Sequence, residues 1–105
     1  MVIIETSIFT RRVDELLTDD EYRLLQSELI HRPDLGKVIP GGGGLRKLRW
    51  ALPGRGKSGG ARTIYYWVVD RNTILMLYAY AENELSDLTP KQVETLRKVV
   101  EEEFK

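Results

Sequence analysis

The 105-residue sequence contains no cysteine and a single histidine. The absence of cysteine excludes a disulfide framework, a thiolate nucleophile and a cysteine-based zinc site. No apolar run approaches the roughly 20 residues that a membrane-spanning helix needs. The N-terminal segment lacks the basic start of a signal peptide. We therefore expect a cytoplasmic protein that carries neither a metal nor another cofactor.

The size and composition predict one small globular domain spanning residues 1–105. A chain of 12.1 kDa is long enough to bury one hydrophobic core, and 42% hydrophobic with 30% charged residues is an ordinary balance for a folded domain. The sequence has no internal repeat, and we find no boundary that would divide the chain into two units.

Acidic residues are missing from one long segment, although the formal net charge of the chain is +0. Residues 41–69 carry six basic residues and no Asp or Glu. The segments on either side are acidic, so the charges are segregated along the chain. Such a block produces a local positive field of the kind that binds phosphate groups. A solvated basic loop without a ligand is the alternative that charge alone leaves open.

The hydrophobic pattern predicts an α+β domain with the element order βααβββα. Val2–Ile4 is typical of a first strand, and two helices with capping residues follow it. The segment 45–52 alternates between apolar and basic residues, whereas 62–69 and 74–81 are apolar on both faces and indicate a central hairpin. Thr89, Pro90 and Gln92 then form the start of a last helix. The result is a small, mainly antiparallel sheet with a helical hairpin and a C-terminal helix packed against it.

All nine glycines lie between Gly36 and Gly60. Gly54–Gly59 matches the pattern G-x-G-x-x-G, but a strand rather than a helix follows, so we do not expect a dinucleotide or nucleoside triphosphate site. A looser role in binding an anion through exposed backbone N–H groups remains open. His31 is predicted to lie at the surface near the end of the second helix.

Basic side chains are predicted to converge on one face of the sheet. Lys47 and Arg49 point to the same side of their strand, and Arg62 begins the next strand. Arg55 and Lys57 lie on the loop that joins the two strands. Converging cations are unfavourable unless an anion completes the site, and phosphate suits arginine because the contact can be bidentate. Nucleic acid is therefore the leading ligand. Tyrosine and tryptophan side chains nearby are candidates for base stacking, although core positions explain most of them better.

The sequence resembles the RelE/HigB family of bacterial toxins, and the likeness is closest to the HigB-like branch. Three segments carry the resemblance: Leu45–Trp50 (LRKLRW), Gly54–Tyr66 (GRGKSGGARTIYY) and Glu82–Thr89 (ENELSDLT). The family has the βααβββα fold. Its members typically cleave messenger RNA in the ribosomal A site without a metal, and an antitoxin encoded beside them neutralises them. The resemblance therefore implies mRNA on the ribosome and a cognate antitoxin as partners, and no membrane.

The resemblance also implies site residues. The basic pair on the family's second strand falls on Lys47 and Arg49, and the arginine that opens its third strand falls on Arg62. A further family arginine falls on Asn83, and a tyrosine that often follows falls on Thr89. Where close HigB-like relatives have a lysine, this chain has Glu82. These departures concern the cleavage chemistry rather than the fold.

Cleavage by the 2′-hydroxyl requires a base, an acid and cations for the charge on phosphorus. Arginine stays protonated, so Arg49 and Arg62 are predicted to stabilise the transition state. Lys47 or Lys57 is a candidate for proton transfer. Glu82 is an alternative base if it reaches the cleft, and it is equally well explained as an exposed acid or as the partner of a basic residue. We expect four further residues to bind RNA or phosphate: Arg46, Arg55, Lys57 and Asn83.

Two other functions remain open at this stage. ParE-type relatives share the architecture but inhibit DNA gyrase as binding modules. Lys47, Arg49 and Arg62 argue against that function, whereas Asn83 and Thr89 leave it possible. The second alternative is an RNA-binding domain of the same fold without catalytic activity.

Overall fold

The structure, a computed structural model, describes residues 1–51, 60–85 and 87–104. Its helices and strands follow one another along the chain in the order that the sequence predicts, with one short strand added. The elements are β1 (Val2–Glu5), α1 (Ser7–Leu16), α2 (Asp19–His31), β2 (Lys37–Val38), β3 (Arg46–Trp50), β4 (Ala61–Val68), β5 (Thr73–Ala81) and α3 (Pro90–Phe104). A single 3-10 turn, Val69–Arg71, joins β4 to β5.

Among the described residues, the strands form one five-stranded sheet in the order β1-β5-β4-β3-β2. β1 pairs with β5 in parallel, and the other neighbouring strands are antiparallel. The two strands predicted as a central hairpin, β4 and β5, do lie inside the sheet with a partner on each side. The α+β class and the RelE-like arrangement are therefore confirmed. The addition is β2, a two-residue strand at the sheet edge.

Helices cover the sheet on both faces, and the sheet divides the core into two clusters. The first cluster joins α1 and α2 to one face of the sheet and includes Phe9, Leu25 and Tyr65, all 0% exposed. The second joins α3 to the other face and includes Ile64, Tyr80 and Val100. In the part of the chain that the structure describes, no helix is long and apolar enough to cross a membrane.

The helix starts follow the capping signals in the sequence. The Thr18 side chain accepts a hydrogen bond from the Glu21 N–H, and the Glu21 carboxylate accepts one from the Thr18 N–H, which completes a capping box. Thr89 and Gln92 make the same reciprocal pair at the start of α3. Because each box satisfies two backbone donors that would otherwise lack partners, these short motifs fix where the helices begin.

An irregularity in the β4–β5 pairing changes which side chains of β5 face α3. Ile64 pairs with Tyr78 and the next residue, Tyr65, pairs with Met76, so Leu77 is an extra residue in β5. Such a bulge interrupts the strict alternation of faces. Leu77 and Tyr78 consequently both pack on the α3 side, and Tyr80 follows on that same side.

Tyr65 and Arg46 hold the segment that precedes β2 in the sequence, residues 33–36, against the sheet. The Tyr65 hydroxyl donates to the Pro33 carbonyl (2.7 Å) and accepts from the Gly36 N–H (2.8 Å). Nη1 of Arg46 donates to the carbonyl oxygen of Gly36 at 2.8 Å. A Cβ atom on Gly36 would lie 2.8 Å from the Tyr65 ring, so only glycine fits here without a shift. These contacts bring Lys37 to the edge of β3.

Candidate phosphate-binding site

Four basic side chains lie on the α3 side of the sheet, beyond the area that α3 covers. Arg49 of β3 lies directly opposite Arg62 of β4, and Lys37 of β2 lies directly opposite Lys47 of β3. Directly opposed residues of antiparallel strands share a face. All four line a cavity of about 400 Å³. We call Lys37, Lys47, Arg49 and Arg62 the cationic cluster.

The cationic cluster contains two pairs of directly opposed residues, and both members of each pair are positively charged. Their repulsion disfavours folding. Like charges directly across a sheet destabilise it by up to about 1 kcal/mol per pair. An anion in the cavity would remove this repulsion, and phosphate can meet two arginines at once. The arrangement is therefore suited in charge and geometry to a phosphate group.

Carboxylates of the chain itself already contact two of the four cations. Nζ of Lys47 donates to Oδ1 of Asp87 at 3.0 Å, and Nε of Arg49 donates to Oε1 of Glu82 at 2.5 Å. Both acids belong to the segment between β5 and α3. The Glu82 side chain is only 10% exposed, whereas that of Arg49 is 61% exposed. An incoming phosphate must compete with these carboxylates for Lys47 and Arg49.

The hydrogen bond from Lys47 is the largest influence on Asp87, and it holds the pKa of that carboxyl below its ordinary value. Partial burial opposes the shift, while the Leu88 N–H and the charge of Arg62 add to it. Asp87 is therefore ionised in neutral solution and is a weak proton acceptor. Its carboxylate orders Lys47 rather than taking protons from it.

Arg62 differs from Lys47 and Arg49, the two members of the cationic cluster that pair with carboxylates. None of the ion pairs between residues that the structure describes includes Arg62, and its Nε is buried without a hydrogen-bond partner. A buried donor without a partner costs roughly 1–3 kcal/mol. Among the described residues, Arg62 is thus the cluster cation with a buried donor that the protein itself leaves without a hydrogen bond.

The structure brings together Lys47, Arg49, Arg62 and Glu82 from the sequence-based set of site residues. Arg46 is not part of the cluster, because it lies opposite Tyr65 on the other face of the sheet and binds backbone carbonyls there. Asn83 is exposed immediately after Glu82. Arg55 and Lys57 lie outside the described residues, as does the glycine pattern 54–59.

Sequence reasoning missed Lys37 and Asp87. Lys37 lies before the basic block, and its place beside Lys47 depends on the contacts of Tyr65 and Arg46 described above. The only signal in the sequence was the turn-forming segment from Pro33 to Gly36 followed by Lys37. Asp87 belongs to a segment whose path follows from tertiary structure, so its contact with Lys47 had no local signal.

Two other features lie away from the cationic cluster. A larger cavity of about 500 Å³ between α1 and α3 is lined mainly by apolar groups and includes Ile8, Tyr78 and Leu96. It holds none of the cluster residues, so we assign the site by its charges rather than by cavity size. His31 ends α2, where its Nδ1 lies 2.8 Å from the carbonyl oxygen of Ser27. Within residues 1–51, 60–85 and 87–104, no group of three or more potential metal ligands occurs.

A comparison with protein families gives an independent result. Residues 3–105 match the model of the family described as "RelE toxin of RelE / RelB toxin-antitoxin system". The match covers almost the whole chain and is to the family in general, so the closer likeness to the HigB-like branch stays a prediction. The chain therefore belongs to the RelE toxin family, the toxins of toxin–antitoxin systems.

Proposed function

We propose that this protein is an endoribonuclease that cleaves messenger RNA in the ribosomal A site without a metal and thereby inhibits translation. Its membership of the RelE family supports this proposal. The observation that carries it is the convergence of Lys47, Arg49 and Arg62 on one cavity. The same function would place the protein in the cytoplasm, with an antitoxin as its second partner.

The reaction needs three kinds of chemical group in the site: a base, an acid and cations. The 2′-oxygen of a ribose attacks the adjacent phosphorus, the P–O5′ bond breaks, and a 2′,3′-cyclic phosphate and a 5′-hydroxyl result. A base accepts the proton of the 2′-hydroxyl, an acid supplies one to the departing 5′-oxygen, and cations stabilise the charge on the phosphorane. Fixed charge stabilisation of this kind is usually the largest contribution to catalysis.

Arg62 and Arg49 provide this stabilisation in the proposed mechanism. They lie directly opposite each other, so their guanidinium groups can approach the two non-bridging oxygens of one phosphate. Lys47 is the proton donor to the departing oxygen, because its ammonium group has three protons and lies on the same face. Lys37 binds a neighbouring phosphate and sets the direction of the RNA across the sheet.

Glu82 is the base in this mechanism. Its carboxylate lies beside Arg49, which lines the cavity, and it accepts protons when phosphate draws Arg49 away from it. The Glu82 N–H donates to the carbonyl of Gly60 at 3.1 Å, which fixes the backbone at this point. Asn83 follows at the surface and is proposed to contact RNA.

The ribosome supplies what this modest group of residues lacks. The 2′-hydroxyl and the adjacent phosphorus belong to one strand, and holding that strand in the in-line geometry removes the conformational freedom that they would otherwise lose on reacting. Such pre-organisation is worth several orders of magnitude in rate. A single-stranded RNA free in solution lacks this restraint. We therefore expect cleavage of translated messages and little cleavage of free RNA.

The experiment maps message ends after incubation of the protein with translating ribosomes and a chelator. We expect new 5′-hydroxyl ends with the wild-type protein and a loss of at least about 100-fold in Arg62→Ala, the scale for removing one transition-state donor. The matched control is Arg23→Ala, which removes an exposed arginine of α2 that pairs with Asp20. This control should cleave like the wild type.

Three outcomes would contradict the proposal. Cuts that need a divalent metal would remove the metal-independent mechanism. Intact messages together with inhibited gyrase would favour a ParE-like function. Salt-sensitive RNA binding without new ends would indicate an RNA-binding domain with no catalysis.

A further inference from the structure

The hydroxyl of Tyr80 is buried without a hydrogen-bond partner. The Tyr80 side chain is 1% exposed and belongs to the core cluster under α3. A buried polar atom of this kind destabilises a fold by roughly 1–3 kcal/mol, and phenylalanine would fill the same space without that cost. The packing of the core therefore explains the ring of Tyr80 but not its hydroxyl.

The strand register brings this hydroxyl to the cationic cluster. Tyr80 of β5 lies directly opposite Arg62 of β4, so both side chains share the α3 side of the sheet. The bulge at Leu77 is responsible, because uninterrupted alternation from Leu75 would place Tyr80 on the other face. Nε of Arg62 is buried without a partner as well. An unpartnered acceptor and an unpartnered donor thus lie on neighbouring strands.

The charge state of Tyr80 suits an acceptor rather than a base. Burial raises the pKa of Tyr80, the close approach and the charge of the Arg62 guanidinium oppose that shift, and the charges of Asp87 and Glu82 add to it. The hydroxyl therefore keeps its proton in neutral solution, and its oxygen lone pairs are available to a donor. Because the hydroxyl is buried, it reaches the substrate only through Arg62.

We propose that Tyr80 is the positioning residue for Arg62. When the scissile phosphate engages the terminal nitrogens of Arg62, the Tyr80 oxygen accepts a hydrogen bond from Nε and fixes the plane of the guanidinium group. Both terminal nitrogens then point into the cavity together, as bidentate contact with phosphate requires. This inference rests on the proposed nuclease function and adds a residue that the cavity lining does not include.

The test compares Tyr80→Phe with wild type in single-turnover cleavage on programmed ribosomes. We expect the cleavage rate to fall about 10-fold, equivalent to about 1.4 kcal/mol, with ribosome affinity unchanged. The melting temperature should stay the same or rise, because the variant removes an unpartnered hydroxyl. In an Arg62→Ala background, Tyr80→Phe should cause no further loss of rate.

Two variants serve as controls. Tyr78→Phe removes a hydroxyl from a neighbouring tyrosine of β5 whose ring lies 6.0 Å from that of Tyr80. Thr63→Val removes another buried, unpartnered hydroxyl, but on the face that α1 and α2 cover. Both should cleave at the wild-type rate.

The outcomes separate this inference from the proposed function. If the wild type cleaves and Tyr80→Phe cleaves at the same rate, the role of Tyr80 is overturned and the proposed function stands. A lower melting temperature for Tyr80→Phe would also overturn it, because the hydroxyl would then be a structural group. A wild-type protein that does not cleave would remove the proposed function, and this inference with it.

Discussion

At the scale of single residues, carboxylates near the cluster decide how open the site is. Glu82 and Asp87 neutralise part of the charge that Lys47 and Arg49 provide. Sequence reasoning identified Glu82 as a candidate and left open whether it would pair with a cation. The structure places it beside Arg49. That pairing was not predictable, because it depends on how the chain turns after β5.

The Lys47–Asp87 pair makes stability depend on pH in a defined direction. The pKa of Asp87 is lowered in the folded protein, so the pair stabilises the fold above the unfolded value of about 3.9. That contribution is lost as the pH falls through the lower, folded pKa. Because the Asp87 side chain is 61% exposed, we expect less than about 1 kcal/mol at neutral pH.

Urea unfolding of wild type and Asp87→Asn at a series of pH values measures this contribution. The wild type should be slightly more stable at neutral pH, and the difference should shrink toward zero in acid. Asp20→Asn, in an exposed pair on α2, is the control for removing a surface acid. A stability difference that does not change with pH would contradict the assignment.

At the scale of elements, local signals in the sequence predict the helices and the central strands well. The capping residues Thr18 and Thr89 mark helix starts because their hydrogen bonds are local. β2 was not predicted, since two residues have no pattern of their own and tertiary contacts hold them in place. The bulge in β5 was not predicted either, because Leu77 and Tyr78 are both apolar enough for either face.

The glycine turn before β3 is the element that delivers Lys47 and Arg49 to the site. Gly44 has a φ of +105°, and a Cβ atom there would lie 2.8 Å from the Tyr66 ring. Gly44→Ala should therefore combine backbone strain with overpacking and destabilise the protein by about 2–4 kcal/mol. Chemical denaturation checks this value.

Gly41→Ala is the matched control for that substitution. Gly41 also has a positive φ, +73°, but open space surrounds its Cβ position. Only the backbone strain of about 1–2 kcal/mol applies. Equal losses for the two variants would show that contact with Tyr66 does not limit the residue at position 44.

At the scale of the whole molecule, the formal net charge of +0 conceals a separation of charge. The family and the fold could be predicted from the sequence because motif order and strand pattern span the whole chain. The composition of the site could be predicted only in part. Alternation of side chains predicts that Lys47 and Arg49 share a face, but strand register decides that Lys37 joins them.

Salt dependence tests whether the cationic cluster binds RNA as a unit. Four phosphate contacts on a single strand give a slope of log affinity against log salt of about −3. Lys37→Ala should reduce that slope by about 0.7, the contribution of one contact. Binding of a 2′-O-methyl RNA, which has no attacking hydroxyl, measures both slopes. A wild-type slope near zero, or one that Lys37→Ala leaves unchanged, would contradict RNA binding by the cluster.

The central claim is that Arg49 and Arg62 act together on one scissile phosphate. The most direct measurement is a double-mutant cycle of single-turnover cleavage rates on programmed ribosomes, with Arg49→Ala, Arg62→Ala and the double variant. Groups that stabilise the same transition state lose rate non-additively. We predict that the fold-loss of rate in the double variant is clearly smaller than the product of the fold-losses in the two single variants. Losses that multiply as independent effects, or single variants that cleave like wild type, would contradict the account.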